Sequence, residues 1–151
     1  MDSPIGRLRI EAEQKAITRI DFHWQLESEE QPLEDDPLVA VVDQIRGYFE
    51  KPQPLQSLAV SAAGTPFQQR VWRALCEIPL GQAVTYGALA EQLGSSPRAV
   101  GGACRSNPIP LIIPCHRVVA KHGMGGFAGE WGESERVDVK QWLLRHEGYL
   151  K

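Results

Sequence analysis

Alternating hydrophobic and polar positions near the start of the chain predict a pair of β-strands. Between residues 6 and 12, Leu8, Ile10 and Ala12 alternate with charged residues, which places the three on one face of a strand. A second apolar stretch runs from Ile17 to Phe22. We therefore predict two half-exposed strands that pair with each other.

The hydrophobic period then changes to that of a helix. The acidic run Glu27–Asp36 contains little that a core could bury and predicts a solvated loop. Asp36 and Pro37 form an N-cap followed by a first-turn proline. One helix face then carries Leu38, Val41, Val42, Ile45 and Phe49. Lys51–Pro54 ends this helix, and we predict a short strand within residues 55–63. Residues 1–63 contain no evident catalytic or binding residues, so we interpret them as a structural scaffold.

Helix signals become dense from Thr65. Thr65-Pro66-Phe67-Gln68 combines an N-cap, a first-turn proline and a capping-box glutamine, and Phe67, Val71 and Leu75 make the buried stripe. A second helix, Tyr86 to Leu93, stops at Gly94, and Ser96 caps a third helix that ends before Pro108. Two short helices joined by a tight glycine-containing turn predict a helix-turn-helix.

The third helix has an unusual composition. Ala99, Gly102 and Ala103 share a face on which a major-groove reader would carry Asn, Gln, Arg or Ser. Glycines at 101 and 102 each cost about 1 kcal/mol relative to alanine in a helix interior. Close approach of another backbone would compensate, either a packed helix or nucleic acid docked in a minor groove. Arg98 could reach into a base stack or contact a phosphate.

The end of the chain predicts one more helix. Lys121–Gly129 is glycine-rich and forms a substrate lid or a connection. The acidic stretch Glu130–Asp138 follows, and then comes a helix that ends at Gly148. Its inner side would carry Val139, Trp142, Leu143 and His146. Glu147 in the last turn opposes the helix dipole, which indicates either a function or an exposed carboxylate at a frayed end.

The segment Ile112–Val119 contains the candidate nucleophile, Cys115. A cysteine beside His116 and Arg117 is in the setting where a thiolate forms, although a cysteine among apolar residues is also a common buried hydrophobe. Neighbours on a strand point to opposite faces. Direct pairing of Cys115 with His116 would therefore need a bend after Pro114, or a bridging water.

Composition and charge narrow the class of protein. The 151 residues include three cysteines without close spacing, which predicts free thiols in a reducing compartment rather than disulfides or a structural zinc site. The N-terminus lacks a secretory pattern, and no apolar run reaches the roughly 20 residues of a membrane span, so we predict a cytoplasmic protein. Residues 1–60 carry 6 Lys/Arg and 12 Asp/Glu, whereas residues 61–151 carry 10 and 7. The second part is the candidate for binding an anion.

Five segments together resemble the O6-alkylguanine-DNA alkyltransferases, DNA repair proteins that accept an alkyl group irreversibly on a cysteine. Residues 64–151 match specifically, and residues 1–63 match only in the order of elements. The matching segments are Gly64-Thr65-Pro66-Phe67-Gln68, Ser96-Pro97-Arg98-Ala99-Val100-Gly101-Gly102-Ala103, Asn107-Pro108, Ile113-Pro114-Cys115-His116-Arg117-Val118-Val119, and Trp142-Leu143-Leu144 with His146-Glu147-Gly148.

The resemblance implies an α+β fold in two domains. Residues 1–63 would form a small α/β, ribonuclease H-like structural unit. Residues 64–151 would form a mainly helical domain with a winged-helix-like helix-turn-helix that binds DNA and transfers the alkyl group. The implied substrates are O6-alkylguanine and O4-alkylthymine in double-stranded DNA. No cofactor, metal or membrane is implied, and the protein would be a monomer, with cooperative assembly on DNA left open.

Roles follow by position. Cys115 would be the alkyl acceptor, and His116, through a water, and Glu147 would keep it a thiolate. Tyr86 would donate a proton to the departing guanine and press on the adjacent phosphate, while Asn107 would brace the turn before the active site. Arg98 would enter the duplex and hold the place of the flipped nucleotide. The remaining DNA contacts would come from Thr65, Gln68, Tyr86, Ala99, Gly102, Ala103 and Arg105.

The guanine pocket departs from the family pattern in places. The carbonyls of Cys115 and Val118 would receive the exocyclic amine, and the pocket walls would be Pro110, Met124, Phe127, Ala128 and Gly129. Ala128 replaces a serine that relatives often have, and Phe127 replaces a common tyrosine. The stretch Glu130–Asp138 is longer and more acidic than the usual glycine link, which bears on lid movement and on tolerance of large alkyl groups.

Two other classes of function remain open from the sequence. A non-enzymatic DNA-damage sensor of the alkyltransferase-like type, or a transcription regulator, would use the same helix-turn-helix, but such sensors replace the reactive cysteine. A cysteine hydrolase using Cys115, His116 and Glu147 would need an oxyanion site, which nothing in the sequence marks.

Overall fold

An antiparallel sheet of three strands forms the start of the chain in the computed structural model, which describes residues 1–22, 37–121 and 133–150. β1 (Asp2–Ser3) pairs with β2 (Gly6–Glu13), and β2 pairs with β3 (Ala16–Phe22). The Leu8 and Ile20 side chains are buried, as the alternation predicts. The predicted strand pair is therefore confirmed, and the predicted loop Glu27–Asp36 lies outside the described residues.

Helix α1 (Pro37–Glu50) begins at the predicted proline and ends before Lys51. Ile45 and Tyr48 are its most buried described side chains. The predicted strand within residues 55–63 is wrong, because only one bridge forms there, between Ile17 and Val60. A turn that the Leu58 amide closes on the Leu55 carbonyl uses the residues that a longer strand would need.

The helix-turn-helix has the predicted caps. In α2 (Pro66–Cys76) the capping box is complete, and Val71 and Leu75 are fully buried. α3 (Tyr86–Leu93) ends at Gly94 in the left-handed conformation, and α4 (Pro97–Arg105) begins with Ser96 accepting the amide of Ala99. The three helices pack on one another and form the frame of the second half.

Two elements join this frame to the candidate site. β4 (Val84–Thr85) pairs in parallel with β5 (Val118–Val119), directly after a 3-10 turn at Cys115–Arg117. α5 (Glu133–His146) starts earlier than predicted, because residues 133–138 continue the helix instead of forming an acidic link. Glutamate has good helix propensity and favours the first turn, so the acidic sequence is compatible with a helix start.

A single cluster of buried hydrophobic side chains connects the sheet, α1 and the helical half. In the described ranges, no helix has the length and apolarity that crossing a membrane would require.

Candidate active site

Cys115 begins the short 3-10 turn that follows Pro114. The Arg117 amide donates to the Pro114 carbonyl, and the Val118 amide donates to the Cys115 carbonyl. Direct pairing of Cys115 with His116 needed either a bend after Pro114 or a bridging water, and this turn is the bend. The turn brings the Cys115 side chain, 2 % exposed, and the fully buried His116 into the interior together.

Glu147 lies at the centre of a buried hydrogen-bond cluster. Its Oε2 atom is 2.9 Å from His116 Nε2 and 2.6 Å from the Tyr48 hydroxyl, which donates to it. Arg117 donates from Nε to Oε1 at 2.8 Å and from Nη2 to Oε2 at 3.1 Å. Glu147 is only 7 % exposed. The alternative of an exposed carboxylate at a frayed helix end is therefore wrong.

Charge in this cluster is set by competing effects. Burial pushes the pKa of Glu147 upward, but the hydrogen bonds that its carboxylate accepts from His116, Arg117 and Tyr48 more than offset this effect. The pKa of Glu147 is therefore well below its ordinary value, and the carboxylate stays ionised. Burial also lowers the pKa of His116, against the attraction of Glu147, which favours the neutral imidazole that can accept a proton.

Tyr48 belongs to the cluster although the sequence assigned it no role, and Arg117, which the sequence placed only as a positive charge beside Cys115, is paired with Glu147. Arg117 also donates from Nη1 to the Ile78 carbonyl at 2.8 Å, so the guanidinium joins residues just past the ends of α2 and α5. Arg117 could have been recognised as a site residue, because it belongs to the Pro-Cys-His-Arg segment. Tyr48 follows Ile45 by three residues and so continues the apolar stripe of α1. Only the tertiary fold brings it to Glu147, 99 residues away.

Tyr86 reaches the same region through the parallel strand pair. It is the first residue of α3, directly after Thr85, which pairs with Val119. The Tyr86 hydroxyl accepts from Lys140 Nζ at 3.4 Å. Burial, followed by the nearby thiols of Cys104 and Cys115, raises the pKa of Tyr86, so the phenol keeps its proton.

Lys140 is a further residue that the sequence reading missed. It is fully buried on α5, and burial lowers its pKa from 10.5 to about 8, against the attraction of Cys115 and Cys104. Its ammonium also lies 5.4 Å from the Tyr86 ring centroid. One feature of the sequence could have identified Lys140: it lies seven residues before Glu147, a spacing that places two residues on one face of a helix.

Asn107 joins the end of α4 to the segment before Cys115. Its Nδ2 donates to the Ile113 carbonyl at 2.8 Å, and its Oδ1 accepts the Ile109 amide at 3.0 Å. Leu111, inside this loop, has a φ of 78°, a conformation that costs a leucine about 1 to 3 kcal/mol and that surrounding bonds must hold. The geometry fits the predicted brace.

The exposed part of α4 presents much of the predicted DNA face. Arg98 and Arg105 are exposed at its two ends, and Ala99 and Gly102 are half-buried. Ala103 does not belong to this face. It is 4 % exposed and packs into the core, where its carbonyl accepts from Trp72 Nε1 at 2.9 Å.

The α4 glycines are not required by packing among the described residues. A Cβ atom built at Gly101 or Gly102 meets no atom of the described chain within 4 Å. The packed-helix explanation for these glycines is therefore not supported. Of the two explanations that the sequence left open, close approach of nucleic acid is the one that these two open positions allow.

Thr65 and Gln68 occupy the start of α2. The Thr65 hydroxyl accepts the Gln68 amide, and Gln68 Oε1 accepts the Thr65 amide, so both side chains serve the capping box. For the guanine pocket, Pro110 and Val118 are buried around the Cys115 turn. The other predicted wall residues, Met124, Phe127, Ala128 and Gly129, lie outside the described residues.

No group of three or more His, Cys, Asp or Glu side chains is arranged to hold a metal ion within residues 1–22, 37–121 and 133–150. The cysteines at 76, 104 and 115 are all free thiols.

Comparison with known proteins matches both halves of the chain. Residues 66–149 match the model of the 6-O-methylguanine DNA methyltransferase DNA binding domain, and residues 1–62 match the ribonuclease-like domain of the same family. A methylated-DNA–protein-cysteine methyltransferase from Shigella flexneri is 42 % identical over 144 residues, covering 93 % of this chain and 80 % of that protein. One from Metallosphaera sedula is 36 % identical over 149 residues, covering 98 % and 90 %.

Solved structures agree with this assignment. The Mycobacterium tuberculosis O6-methylguanine methyltransferase superposes with a TM-score of 0.80 at 34 % identity, covering all of this chain and 92 % of that one. A structure of the M. tuberculosis OGT protein in complex with DNA gives a TM-score of 0.80 at 35 % identity, covering 98 % and 90 %. The resemblance in the sequence is confirmed: the chain belongs to the 6-O-methylguanine DNA methyltransferase family.

Proposed function

We propose that this protein repairs DNA by transferring the alkyl group of O6-alkylguanine, and of O4-alkylthymine, irreversibly to Cys115. One observation carries the proposal: Cys115 adjoins a buried His116 whose Nε2 is 2.9 Å from the ionised carboxylate of Glu147. Relatives over nearly the full length of the chain are named methylated-DNA–protein-cysteine methyltransferases, and a solved relative is bound to DNA.

The relay begins with the neutral imidazole. His116 accepts the Cys115 proton through a water at its Nδ1 atom, while its Nε2 hydrogen is held by Glu147. The carboxylate, in turn, stabilises the imidazolium that forms. Arg117 keeps Glu147 ionised, and thus keeps the acceptor end of the relay charged.

Transfer is a displacement at the alkyl carbon. The Cys115 sulfur forms a bond to that carbon as the bond from carbon to O6 of guanine breaks, and the electron pair leaves with guanine. The Tyr86 phenol, which is protonated before the reaction, neutralises the departing base by donating its proton, and the proton that His116 took from Cys115 then restores the phenol. The Cys115 thioether has no leaving group for water to displace, so each molecule reacts once without a cofactor.

The lesion must leave the base stack first, because a thiol buried in the protein cannot reach a stacked base. Extrusion costs a few kcal/mol and is easiest for a poorly paired base. In this proposal α4 lies in the minor groove, with Gly102 and Ala99 allowing close approach and Arg98 filling the gap in the duplex. The exposed position of Arg98 at the start of α4 supports this role.

The division into a structural unit (residues 1–63) and a transfer domain (residues 64–151) is part of the proposal. So are the monomeric state and the cytoplasmic location. The brace by Asn107 is also proposed by position. So is the pocket, whose walls would be Pro110, Val118, Met124, Phe127, Ala128 and Gly129.

Incubation of the purified chain with a duplex that contains one O6-methylguanine tests the function. The expected result is a gain of one methylene mass on the intact protein, in an amount that saturates at one equivalent of DNA. Cys115→Ser should bind the duplex and gain no mass. An unchanged mass for the wild-type chain, with DNA binding retained, would establish the damage-sensor alternative instead.

A further inference from the structure

Tyr48 connects the N-terminal half of the chain to the candidate relay. It lies on α1, in the half for which the sequence predicted no chemistry, and it is 1 % exposed. Its hydroxyl donates to Glu147 Oε2 at 2.6 Å. His116 Nε2 contacts the same oxygen atom at 2.9 Å. The phenol and the imidazole therefore share one carboxylate oxygen.

A second hydrogen bond holds Tyr48 in place through its backbone carbonyl. His146 Nε2 donates to the Tyr48 carbonyl at 2.6 Å. The His146 ring stacks on Trp142 at 4.7 Å between centroids and meets the Tyr48 ring edge-on at 5.2 Å. Adjacent residues of the α5 end, His146 and Glu147, thus bind the backbone and the side chain of Tyr48. Together these contacts hold the backbone, ring and hydroxyl of Tyr48 against the end of α5.

We propose that Tyr48 is a positioning residue of alkyl transfer: its phenol holds Glu147 Oε2 against His116 and limits how strongly that carboxylate attracts the His116 proton. This inference rests on the proposed function. It gives the N-terminal half a direct influence on the reaction, in addition to packing.

Several charged groups around His116 change its proton affinity, and the effect of the Tyr48 phenol is added to theirs. Arg117 and Lys140 both disfavour the imidazolium, and Glu147 favours it. Burial raises the pKa of Tyr48, so Tyr48 remains a neutral donor throughout the useful pH range. His146, at the end of α5, faces Tyr48 and binds its backbone carbonyl. Among these groups, Tyr48 is the neutral donor that withdraws charge from the Glu147 oxygen facing His116.

Loss of this donor changes the proton affinity of His116 in a defined direction. With the hydroxyl removed, more of the Glu147 charge is available to His116, which favours the imidazolium and raises the pKa of His116. Transfer needs the neutral imidazole as proton acceptor. The acidic side of the pH–rate profile must therefore move to higher pH.

The test compares pH profiles of single-turnover transfer from an O6-methylguanine duplex for the wild-type chain and Tyr48→Phe. We expect the acidic midpoint of Tyr48→Phe to rise by about half a pH unit or more, while the dissociation constant for DNA stays within about twofold. Tyr149→Phe, which removes a hydroxyl from a side chain that is 42 % exposed, should leave the profile unchanged.

A second control separates positioning from packing. Phe49→Leu disturbs the same ring cluster, since Phe49 lies 5.3 Å from Tyr48 between centroids, but it retains the phenol. It should lower stability without moving the midpoint. An unmoved midpoint in Tyr48→Phe, or an equal movement in Phe49→Leu, overturns the inference alone. Failure of the wild-type chain to accept the methyl group overturns the proposed function as well.

Discussion

The Nζ atom of Lys140 lies 3.4 Å from the hydroxyl oxygen of Tyr86, within a fold that leaves no exposed surface on the lysine. A buried ammonium destabilises a fold unless its neighbours compensate, so its position within electrostatic reach of the proposed nucleophile indicates a functional reason. We therefore expect the Lys140 ammonium to favour the Cys115 thiolate, which attracts it, and to orient the Tyr86 phenol to which it donates.

The stability of the protein should depend on pH through Lys140. Its pKa falls from 10.5 unfolded to about 8 folded, so the unfolded chain binds more protons between these values. The cost of burying Lys140 is therefore full below pH 8 and disappears as pH rises to 10.5. Urea titrations should show that the stability of Lys140→Met, relative to wild type, is greatest below pH 8 and declines across this window.

The same substitution should slow transfer at pH 7 by about tenfold or more, since a tenfold change in rate corresponds to only about 1.4 kcal/mol of lost transition-state stabilisation. Lys51→Met, at an exposed lysine, is the matched control and should change neither property. A Lys140→Met variant with wild-type transfer kinetics would show that the ammonium has no part in the reaction.

Glu147→Gln should lower both stability and activity. The substitution leaves Arg117 buried without its counter-charge, for which we expect a loss of about 3 to 5 kcal/mol in the free energy of unfolding at pH 7. Because the folded pKa of Glu147 is depressed, its contribution is full above the unfolded value of 4.5 and is lost as pH falls through the folded value. The difference between wild type and variant should therefore shrink in acid.

Denaturant titrations at several pH values check this expectation, with Glu77→Gln as the control because Glu77 is exposed. That control should stay within about 0.5 kcal/mol of wild type. Equal stability of Glu147→Gln and wild type at pH 7 would contradict the buried cluster.

Gly102→Ala should separate folding from DNA binding. The added methyl group meets no described atom within 4 Å, so helix propensity predicts a gain of about 0.5 to 1 kcal/mol in the free energy of unfolding. The same methyl group should obstruct the minor groove and weaken binding to duplex DNA. Thermal unfolding and fluorescence anisotropy measure the two effects, and Gly47→Ala, on α1, is the control for affinity. Unchanged affinity in Gly102→Ala would show that α4 does not approach DNA closely.

Arg98→Ala should slow repair of duplex DNA far more than reaction with a free O6-alkylguanine base, because only the duplex needs the lesion to be extruded. Arg105→Ala, at the opposite end of α4, is the matched control. It should weaken duplex affinity and leave the rate at saturating DNA unchanged. Equal slowing of Arg98→Ala on both substrates would refute the base-flipping role.

Much of the fold follows from local signals that the sequence contains. The capping box at Thr65 and Gln68, the left-handed Gly94 and the Ser96 cap all depend on neighbouring residues, so they could be predicted. The strand predicted within residues 55–63 failed because a local turn competed with pairing. Helix α5 was predicted too short because its acidic beginning lacks an apolar stripe.

The part of the site that depends on local sequence motifs could also be predicted. Cys115, His116 and Glu147 could be named from motif positions, and their pairing follows from the resemblance. The donor from Tyr48 and the ammonium of Lys140 could not be placed, because both depend on packing between elements distant in sequence. Ala103 was assigned to the DNA face because spacing alone does not determine which of two adjacent helix faces becomes buried.

Locating the transferred methyl group tests whether Cys115 is the alkyl acceptor. After reaction with the O6-methylguanine duplex, peptide mass mapping should find the modification on Cys115 and not on Cys76 or Cys104, the two other thiols of the chain. We expect stoichiometric methylation at Cys115 alone, and we expect it to be lost in Cys115→Ser. A methyl group on Cys76 or Cys104, or an unmodified protein after the DNA has been repaired, would contradict it.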